Sequence, residues 1–157
     1  MSLYTFNKNY HPYLPFPDYK KVNSILNEEK PSKKQWKQLI SYIDVSLKID
    51  PFSCRNLYYQ FLAFDALGNK DEAEKCLNKF KCIIDAMSLT GDGLTKETAI
   101  HVISVSNEYD FLFDNGFSMQ NQAFVNGGFD VLKLKPNEAG VEELWFDVNK
   151  PFNTLIF

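Results

Sequence analysis

The residues that first suggest chemistry lie in SLTGDGLTKETAIHVISVS, residues 88–106, where two glycines flank Asp92 and a Thr-Lys-Glu-Thr run follows. A phosphate loop requires the order Gly-x-x-x-x-Gly-Lys-Ser/Thr, which aims successive backbone N–H groups at a phosphate, and this stretch lacks that order. An EF-hand calcium loop requires oxygen ligands at alternate positions, whereas only Asp92 and Glu97 could ligate here. We therefore expect a turn, with Gly91 in the left-handed conformation after a helix and Asp92-Gly93 turning the chain into a sheet.

The histidines and cysteines lack the spacing of a metal site or of an activated nucleophile. His11 and His101 are the only histidines and lie 90 residues apart, which fits no zinc-ligand pattern. The three cysteines form no C-x-x-C pair, which indicates small, buried, reduced thiols. No serine lies in a Gly-x-Ser-x-Gly elbow. The sequence therefore predicts no catalytic residue, no metal and no cofactor.

An acidic cluster near the C terminus is the remaining candidate for acid–base chemistry. It could supply paired carboxylates, and its members are Glu138, Glu142, Glu143 and Asp147. Charges commonly blunt the edges of sheets, so we interpret the cluster as the solvated face and loop of an edge hairpin.

Composition and charge exclude several classes of protein. Of the 157 residues, 45% are hydrophobic and 15% aromatic, so the chain can bury a core and is not intrinsically disordered. The net charge is −3, without the dense basic surface of a nucleic-acid-binding protein. No apolar run reaches the length of a transmembrane helix, and the N terminus lacks a signal-peptide pattern. We expect no nucleic acid as partner, no membrane insertion and, if the chain is complete, a cytoplasmic location.

Hydrophobic periodicity predicts helices through the first ninety residues, after an extended aromatic arm at residues 1–17. The predicted helices span 18–29, 33–50 and 54–67, and a further one follows Gly68-Asn69 and reaches Met87. Three polar residues are placed to cap them: Asp18, Ser32 and Asp71.

The breaks between these helices resemble those of tetratricopeptide repeats. LGNKDEAEKCLNKF is similar to the centre of such a repeat, where a glycine turn precedes an acidic cap. Asp50-Pro51 stands 17 residues before Gly68, as a repeat-closing Asp-Pro should, and the resemblance spans residues 33–88. It implies helical hairpins with a surface for a partner peptide or a second copy. So few repeats leave an open end, which the rest of the chain is expected to cover.

After Gly91 the hydrophobic period changes toward two, which predicts a small antiparallel sheet. The predicted elements are a strand at 99–105, a helix at 107–116 that begins at Asn107, a hairpin turning at Asn126-Gly127, and a strand at 141–148. The fold class is therefore α+β. Tetratricopeptide-like hairpins in residues 1–90 are expected to pack against a β-rich capping part, residues 91–157, in a single domain.

Four motifs together span nearly the whole chain: TGDGLTKETAIHVISVSNEYDFL, ELWFDVNKPFNTL, YTFNKNYHPY and DPFSCRN. They resemble an uncharacterised bacterial family, domain of unknown function 4919, of Bacteroides-type bacteria. The resemblance implies no assigned activity. Members usually carry more sequence upstream, often with an export signal, so it implies a periplasmic or exported location if a leader is missing.

Three hypotheses for function stay open. The first is a non-catalytic protein-interaction or scaffold module that binds a protein, a peptide or a second copy. The second is a small-ligand or glycan binder that uses surplus aromatic rings, such as those of Tyr10, Tyr13, Phe16, Tyr58, Tyr59 and Trp145. The third is a small hydrolase that pairs His101 with Glu108 or Asp92. The candidate binding surface comprises Tyr58, Tyr59, Asp92, His101, Glu108, Tyr109 and Trp145.

Overall fold

The computed structural model describes residues 2–13 and 18–155. A short 3-10 helix spans Ser2–Phe6, where an extended arm was predicted, and residues 14–17 of that arm, Phe16 among them, lie outside the described part. The helices are α1 (Tyr19–Leu26), α2 (Lys33–Ile49), α3 (Cys54–Ala66), α4 (Lys70–Ser88), α5 (Ser106–Asp114) and α6 (Asn149–Phe152). The strands are β1 (Ile100–His101), β2 (Met119–Val125), β3 (Phe129–Leu134) and β4 (Glu143–Asp147). Helices thus dominate the N-terminal part and a small sheet the C-terminal part, so the predicted α+β class is confirmed.

The chain divides into two compact units. The sheet unit comprises the N-terminal segment to Tyr13 and the chain from Ile83 onward, and the helical unit is the segment between them, up to Cys82. The single domain expected from the sequence, with a β-rich part packed on the helices, stays a prediction.

The helical unit is built around apolar side chains from its first three helices. Val22 and Ile25 of α1, Leu39 and Ile43 of α2, and Ala63 of α3 form one buried cluster. The apolar side of α2 therefore faces a core, as a one-sided apolar helix requires. The small side chain of Ala63 allows α3 to lie close to its neighbours.

The helix caps are predicted correctly in one case of three. Ser32 accepts the backbone N–H of Gln35 while the Gln35 side chain accepts that of Ser32, which forms a capping box. Asp18 precedes α1 but is left-handed, at φ 61°, and makes no side-chain cap; its carboxylate lies 2.6 Å from Lys21 Nζ instead. At α4 the cap is Asn69, whose side chain accepts the N–H of Glu72 at 3.4 Å, so the prediction of Asp71 is wrong.

The contacts of α3 with α2 and α4 are partly polar. Gln60 is buried and donates to Asp44 Oδ1 at 2.6 Å, while its amide oxygen lies 3.3 Å from Cys76 Sγ. Burial raises the pKa of the Cys76 thiol, which disfavours the reactive thiolate. All three cysteines are free, but Cys82 is exposed, so the prediction of buried thiols holds only for Cys54 and Cys76.

The sheet is mixed rather than antiparallel, which corrects the predicted topology. Its order is β1-β4-β3-β2, with β1 parallel to β4 and the other two pairs antiparallel. The strand predicted at 99–105 is only Ile100–His101, although its apolar residues other than Val105 are buried. A short apolar run does not by itself identify a strand. The β2–β3 turn has three residues, 126–128, since Val125 pairs with Phe129.

Helix α5 packs on one face of the sheet. Register places Ile100, Phe146, Leu132 and Asp130 on this face, and the rings of Phe111 and Phe146 meet edge to face at 6.0 Å. Gly116 closes α5 as predicted, with φ +69°. Asn107, where the helix was predicted to begin, is the second residue of α5 and is buried.

The turn predicted at residues 91–93 forms, but its glycines have other roles than expected. Gly93, not Gly91, adopts positive φ, at +72°. Position 91 requires glycine because the backbone of Thr98 passes close to it. A Cβ at this position would lie 2.1 Å from the carbonyl oxygen of Thr98. Backbone cannot yield to a methyl group as a flexible side chain can.

We expect Gly91→Ala to lower the free energy of unfolding by at least about 2 kcal/mol, because overpacking against backbone forces the turn apart. Gly116→Ala is the matched control. It has positive φ, but a methyl group added there would meet no atom within 4 Å, so it should cost only about 1–2 kcal/mol. Urea denaturation of both variants measures the difference; equal costs would contradict the steric explanation.

Candidate functional site

Tyr58 and Tyr59 of the predicted surface lie in the helical unit, where both are half-buried. The Tyr58 ring contacts those of Phe61 and Phe80, at centroid distances of 5.8 and 6.4 Å. Tyr59 packs against the core of α1–α3. Both tyrosines therefore contribute to packing within their own unit.

Asp92, His101 and Trp145 of the sheet unit each engage a different partner. Asp92 accepts the Thr98 hydroxyl at 2.6 Å and the Leu94 N–H at 3.0 Å, and these bonds, the first above all, lower the pKa of its carboxyl. His101 Nε2 lies 3.7 Å from Asp147 Oδ2, across the parallel β1–β4 pair. The structure thus pairs His101 with neither Glu108 nor Asp92.

The Trp145 indole is also engaged locally. Its Nε1 donates to Glu143 Oε1 at 3.1 Å, two residues back on the same strand. Glu143 and Asp147, half of the predicted acidic cluster, therefore contact neighbouring side chains.

Glu108 and Tyr109 belong to a polar cluster that joins α5 to the sheet. Glu108 is fully buried and Asp130 of β3 is 6% exposed. The side-chain amide of Gln122, on β2, donates to Asp130 Oδ2 at 2.6 Å and to Glu108 Oε2 at 3.3 Å. The Tyr109 hydroxyl donates to the side-chain amide oxygen Oε1 of Gln122. One glutamine thus connects the edge strand to a buried acid pair, Glu108 and Asp130.

Two carboxyl groups in a buried site cannot both ionise cheaply. Burial, then the negative charge of Asp130 and a hydrogen bond with it, raise the pKa of Glu108 from 4.5 to about 9. Glu108 is therefore a neutral acid near pH 7, whose proton is donated to Asp130. Its Oε1 receives no N–H or O–H donor from the described residues.

Two tyrosines border the acid pair. The pKa of Tyr109 is raised by burial, then by the charges of Glu108 and Asp130. The pKa of Tyr13 is raised by burial, then by the same acids with Asp130 first. Both phenols therefore keep their protons at neutral pH, and the negative charge at this site is confined to the acid pair.

The acid pair has the proton chemistry of a general acid but the surroundings of a structural contact. A catalytic acid must reach a substrate, whereas Glu108 is fully buried and the cluster's hydrogen bonds run between α5, β2 and β3. Within the described ranges, no group of three or more histidine, cysteine or acidic residues could hold a metal ion. We therefore assign the pair the role of fixing β2 to the unit.

Strand β2 forms the long open edge of the described sheet. It is the last strand in the order, and all residues from Gln120 to Phe124 are exposed. No charged residue occurs from 115 to 129, in a chain that is 24% charged. Edge strands usually carry charges, prolines or bulges that prevent pairing with other chains. β2 has only a bulge, between Met119 and Asn121, which leaves the strand regular from there to Val125.

The alternating hydrogen-bond pattern along β3 shows which backbone groups of β2 face away from the sheet. The N–H of Leu134 donates to Glu142 and the carbonyl of Gly128 accepts from Val148, so even-numbered residues of β3 bond toward β4. Leu132 and Asp130 pair with Gln122 and Phe124 of β2, which makes these non-hydrogen-bonded pairs. The N–H and C=O groups of Gln122 and Phe124 therefore point away from β3.

Glu108 and Tyr109 were predicted as site residues from the sequence, but their partners Asp130 and Gln122 were not. No spacing rule connects positions on α5, β2 and β3, because only the tertiary fold brings them together. The uncharged run from 115 to 129 was a usable signal for the open edge.

In the part of the chain that the structure describes, this geometry is that of an α+β protein whose sheet has an anchored, uncharged edge strand. The chain belongs to the family described as Domain of unknown function (DUF4919), whose family model matches residues 3–155. No curated protein and no solved structure shows a significant match. In the described part of the chain, no helix combines the length and apolar character needed to cross a membrane.

Replacing Glu108 tests the buried proton. Because folded Glu108 keeps its proton to about pH 9 and the unfolded chain releases it near pH 4.5, stability falls as pH rises across this window. The loss approaches about 1.4 kcal/mol per pH unit. Glu108→Gln should remove this slope. Between about pH 5 and 8 the free energy of unfolding of the variant should therefore rise by about 2–4 kcal/mol relative to that of the wild type.

Trp145 fluorescence during urea unfolding, in a Trp36→Phe background, measures this slope for the sheet unit. Glu138→Gln makes the same chemical change at an exposed loop position and should retain the wild-type slope. An unchanged slope in Glu108→Gln would show that Glu108 is ionised in the folded protein.

Amide hydrogen exchange tests which backbone N–H groups of β2 bond to β3 and which face outward. In dilute protein the amides of Asn121, Ala123 and Val125 should be protected by bonds to β3, whereas those of Gln122 and Phe124 exchange at least about tenfold faster. NMR-detected hydrogen exchange resolves the five sites. Uniform protection along the strand would mean that the edge is covered.

Proposed function

We propose that this protein is a non-catalytic protein-interaction or scaffold module, and that the edge of β2 is its binding surface. The observation that carries the proposal is the outward direction of the Gln122 and Phe124 backbone groups on an exposed, uncharged strand. Such an edge accepts an extended segment as an added strand, with affinity from backbone hydrogen bonds and specificity from alternate side chains.

The anchoring of β2 supports the same function. Gln122 directs its side chain to the acid pair while its backbone faces outward, so the strand is held in a fixed position before a partner arrives. Preorganisation of this kind reduces the entropy lost on binding. Phe124 adds apolar surface, since it is 52% exposed and stacks on Phe152 at 5.0 Å.

The tetratricopeptide-like interpretation of α2–α4 belongs to the same proposal. Small residues are buried on α3 and α4, with Ala63 fully buried and Ala73 2% exposed. Repeats of this kind stack helical hairpins to make binding surfaces. The helical unit then offers a second surface for a protein or peptide partner.

The two alternatives have less support. A glycan platform needs flat exposed rings, whereas Tyr58, Tyr59 and Trp145 are half-buried and engaged with neighbours. A hydrolase needs a base beside a nucleophile or an acid, and His101 lies nearest to Asp147, in a cross-strand pair.

Selection from a displayed library of random peptides tests the proposal. Peptides enriched on the wild type should slow amide exchange at Gln122 and Phe124 and lose affinity by about tenfold or more for Ala123→Lys, because a charge on an edge strand opposes pairing. Ala139→Lys, in the exposed β3–β4 loop, should bind as the wild type does. If the enriched peptides bind Ala123→Lys as tightly as the wild type, the binding surface lies elsewhere.

A further inference from the structure

We infer that the strand added to β2 is the β2 of a second copy of this chain, paired antiparallel about a two-fold axis at Ala123. This inference rests on the proposed function, because it uses the same edge and names its partner. A symmetric pair of this kind is isologous, so it joins two copies and leaves neither open edge free.

The outward groups of β2 are self-complementary in this register. In an antiparallel pair of identical strands centred on Ala123, Gln122 of one copy lies opposite Phe124 of the other. Gln122 and Phe124 are the residues whose N–H and C=O groups point away from β3. Each such pair exchanges both of its hydrogen bonds, so every outward group of the regular segment gains a partner.

The side chains fit the same register. Ala123 faces Ala123 of the second copy in a non-hydrogen-bonded pair, where Cα atoms approach to about 4.5 Å and small side chains are favoured. Asn121 faces Val125 on the same side of the sheet. On the other side of the sheet Gln122 lies opposite Phe124, which is 52% exposed. Pairing would remove part of the apolar surface of this ring from water, which is favourable.

The lack of charged residues on β2 favours a second copy of the chain over other binding partners. Ala123 faces its own copy at the two-fold axis, so a charged residue at this position would meet a like charge and oppose pairing. The run from 115 to 129 contains none, although the chain as a whole carries a net charge of −3. A neutral edge gives a charged foreign segment no complementary partner, whereas it imposes no penalty on a copy of itself.

The opposite edge of the sheet does not offer an equivalent surface. β1 has only two residues, and one of them is His101, whose ring faces Asp147. Two-residue edges are a common protection against pairing. Self-association through the described sheet therefore has one suitable strand.

Sedimentation velocity from about 1 µM to about 1 mM tests the inference, a range that spans weak to moderate affinities. The wild type should pass from monomer to dimer without larger species. Ala123→Lys and Ala123→Glu should each weaken the dimer by about tenfold or more, because like charges meet at the two-fold axis. Ala139→Lys, on the exposed loop, should associate as the wild type does.

Mixing the two charged variants tests the register. Lysine on one strand then faces glutamate on the other, so an equimolar mixture of Ala123→Lys and Ala123→Glu should dimerise again, to within about tenfold of the wild type. Amide exchange at Gln122 and Phe124 should slow in the mixture and not in either variant alone.

Three results would overturn the inference: a wild type that stays monomeric to about 1 mM, a mixture that stays monomeric, or an open series of oligomers. The proposed function is tested separately, by the selected peptides. If those peptides bind at Gln122 and Phe124 while the wild type stays monomeric, the edge binds other proteins and only self-pairing fails. If no selected peptide is sensitive to Ala123→Lys either, both proposals fail.

Discussion

The sheet unit depends on one proton held between two buried carboxyl groups. Glu108 and Asp130 approach each other where water is excluded, and leaving both ionised would cost several kcal/mol. Keeping Glu108 neutral converts this repulsion into a hydrogen bond. Gln122 supplies the remaining donor to both acids, so α5, β3 and β2 are joined at one point. An apolar contact would have stabilised the unit without specifying which residue of β2 lies there.

That specificity matters because of the two-residue period of a strand. A slip of β2 by one residue would move Gln122 to the other face of the sheet and turn its backbone groups inward. The bond from its side chain to the acid pair opposes the slip, and the stacking of Phe124 on Phe152 opposes it again two residues later. The outward direction of the edge groups is therefore a consequence of polar and aromatic contacts on the buried side. The anchoring contacts and the proposed binding edge therefore belong to the same strand.

The parts of the fold that were predictable are those specified by local sequence. Ser32 and Gln35 form a capping box within one turn, and the apolar spacing of α2 does not depend on what it packs against. Gly116 ends α5 because its positive φ suits glycine.

The errors arose where tertiary contacts decide. Ile100 and His101 are the only strand residues of a longer apolar run, because β1 can pair only along the short segment where β4 lies beside it. Asp130 sits between apolar neighbours in a strand, where sequence alone indicates an exposed charge, and nothing local reveals that Glu108 lies above it. The candidate site was therefore predictable as single residues on α5, and its geometry was not.

A carboxyl with a strongly raised pKa is often a sign of catalysis, so its structural role here needs a positive argument. In an active site the perturbed acid faces a space that a substrate can occupy, and its hydrogen bonds hold it ready to exchange a proton. Here the bonds of Glu108 and Asp130 lead to a side chain whose own backbone lies at the open edge. The energy of burying the acids is thus used to fix a strand. If the protein binds partners through the backbone of β2, as we propose, it needs that strand fixed more than it needs a reactive proton.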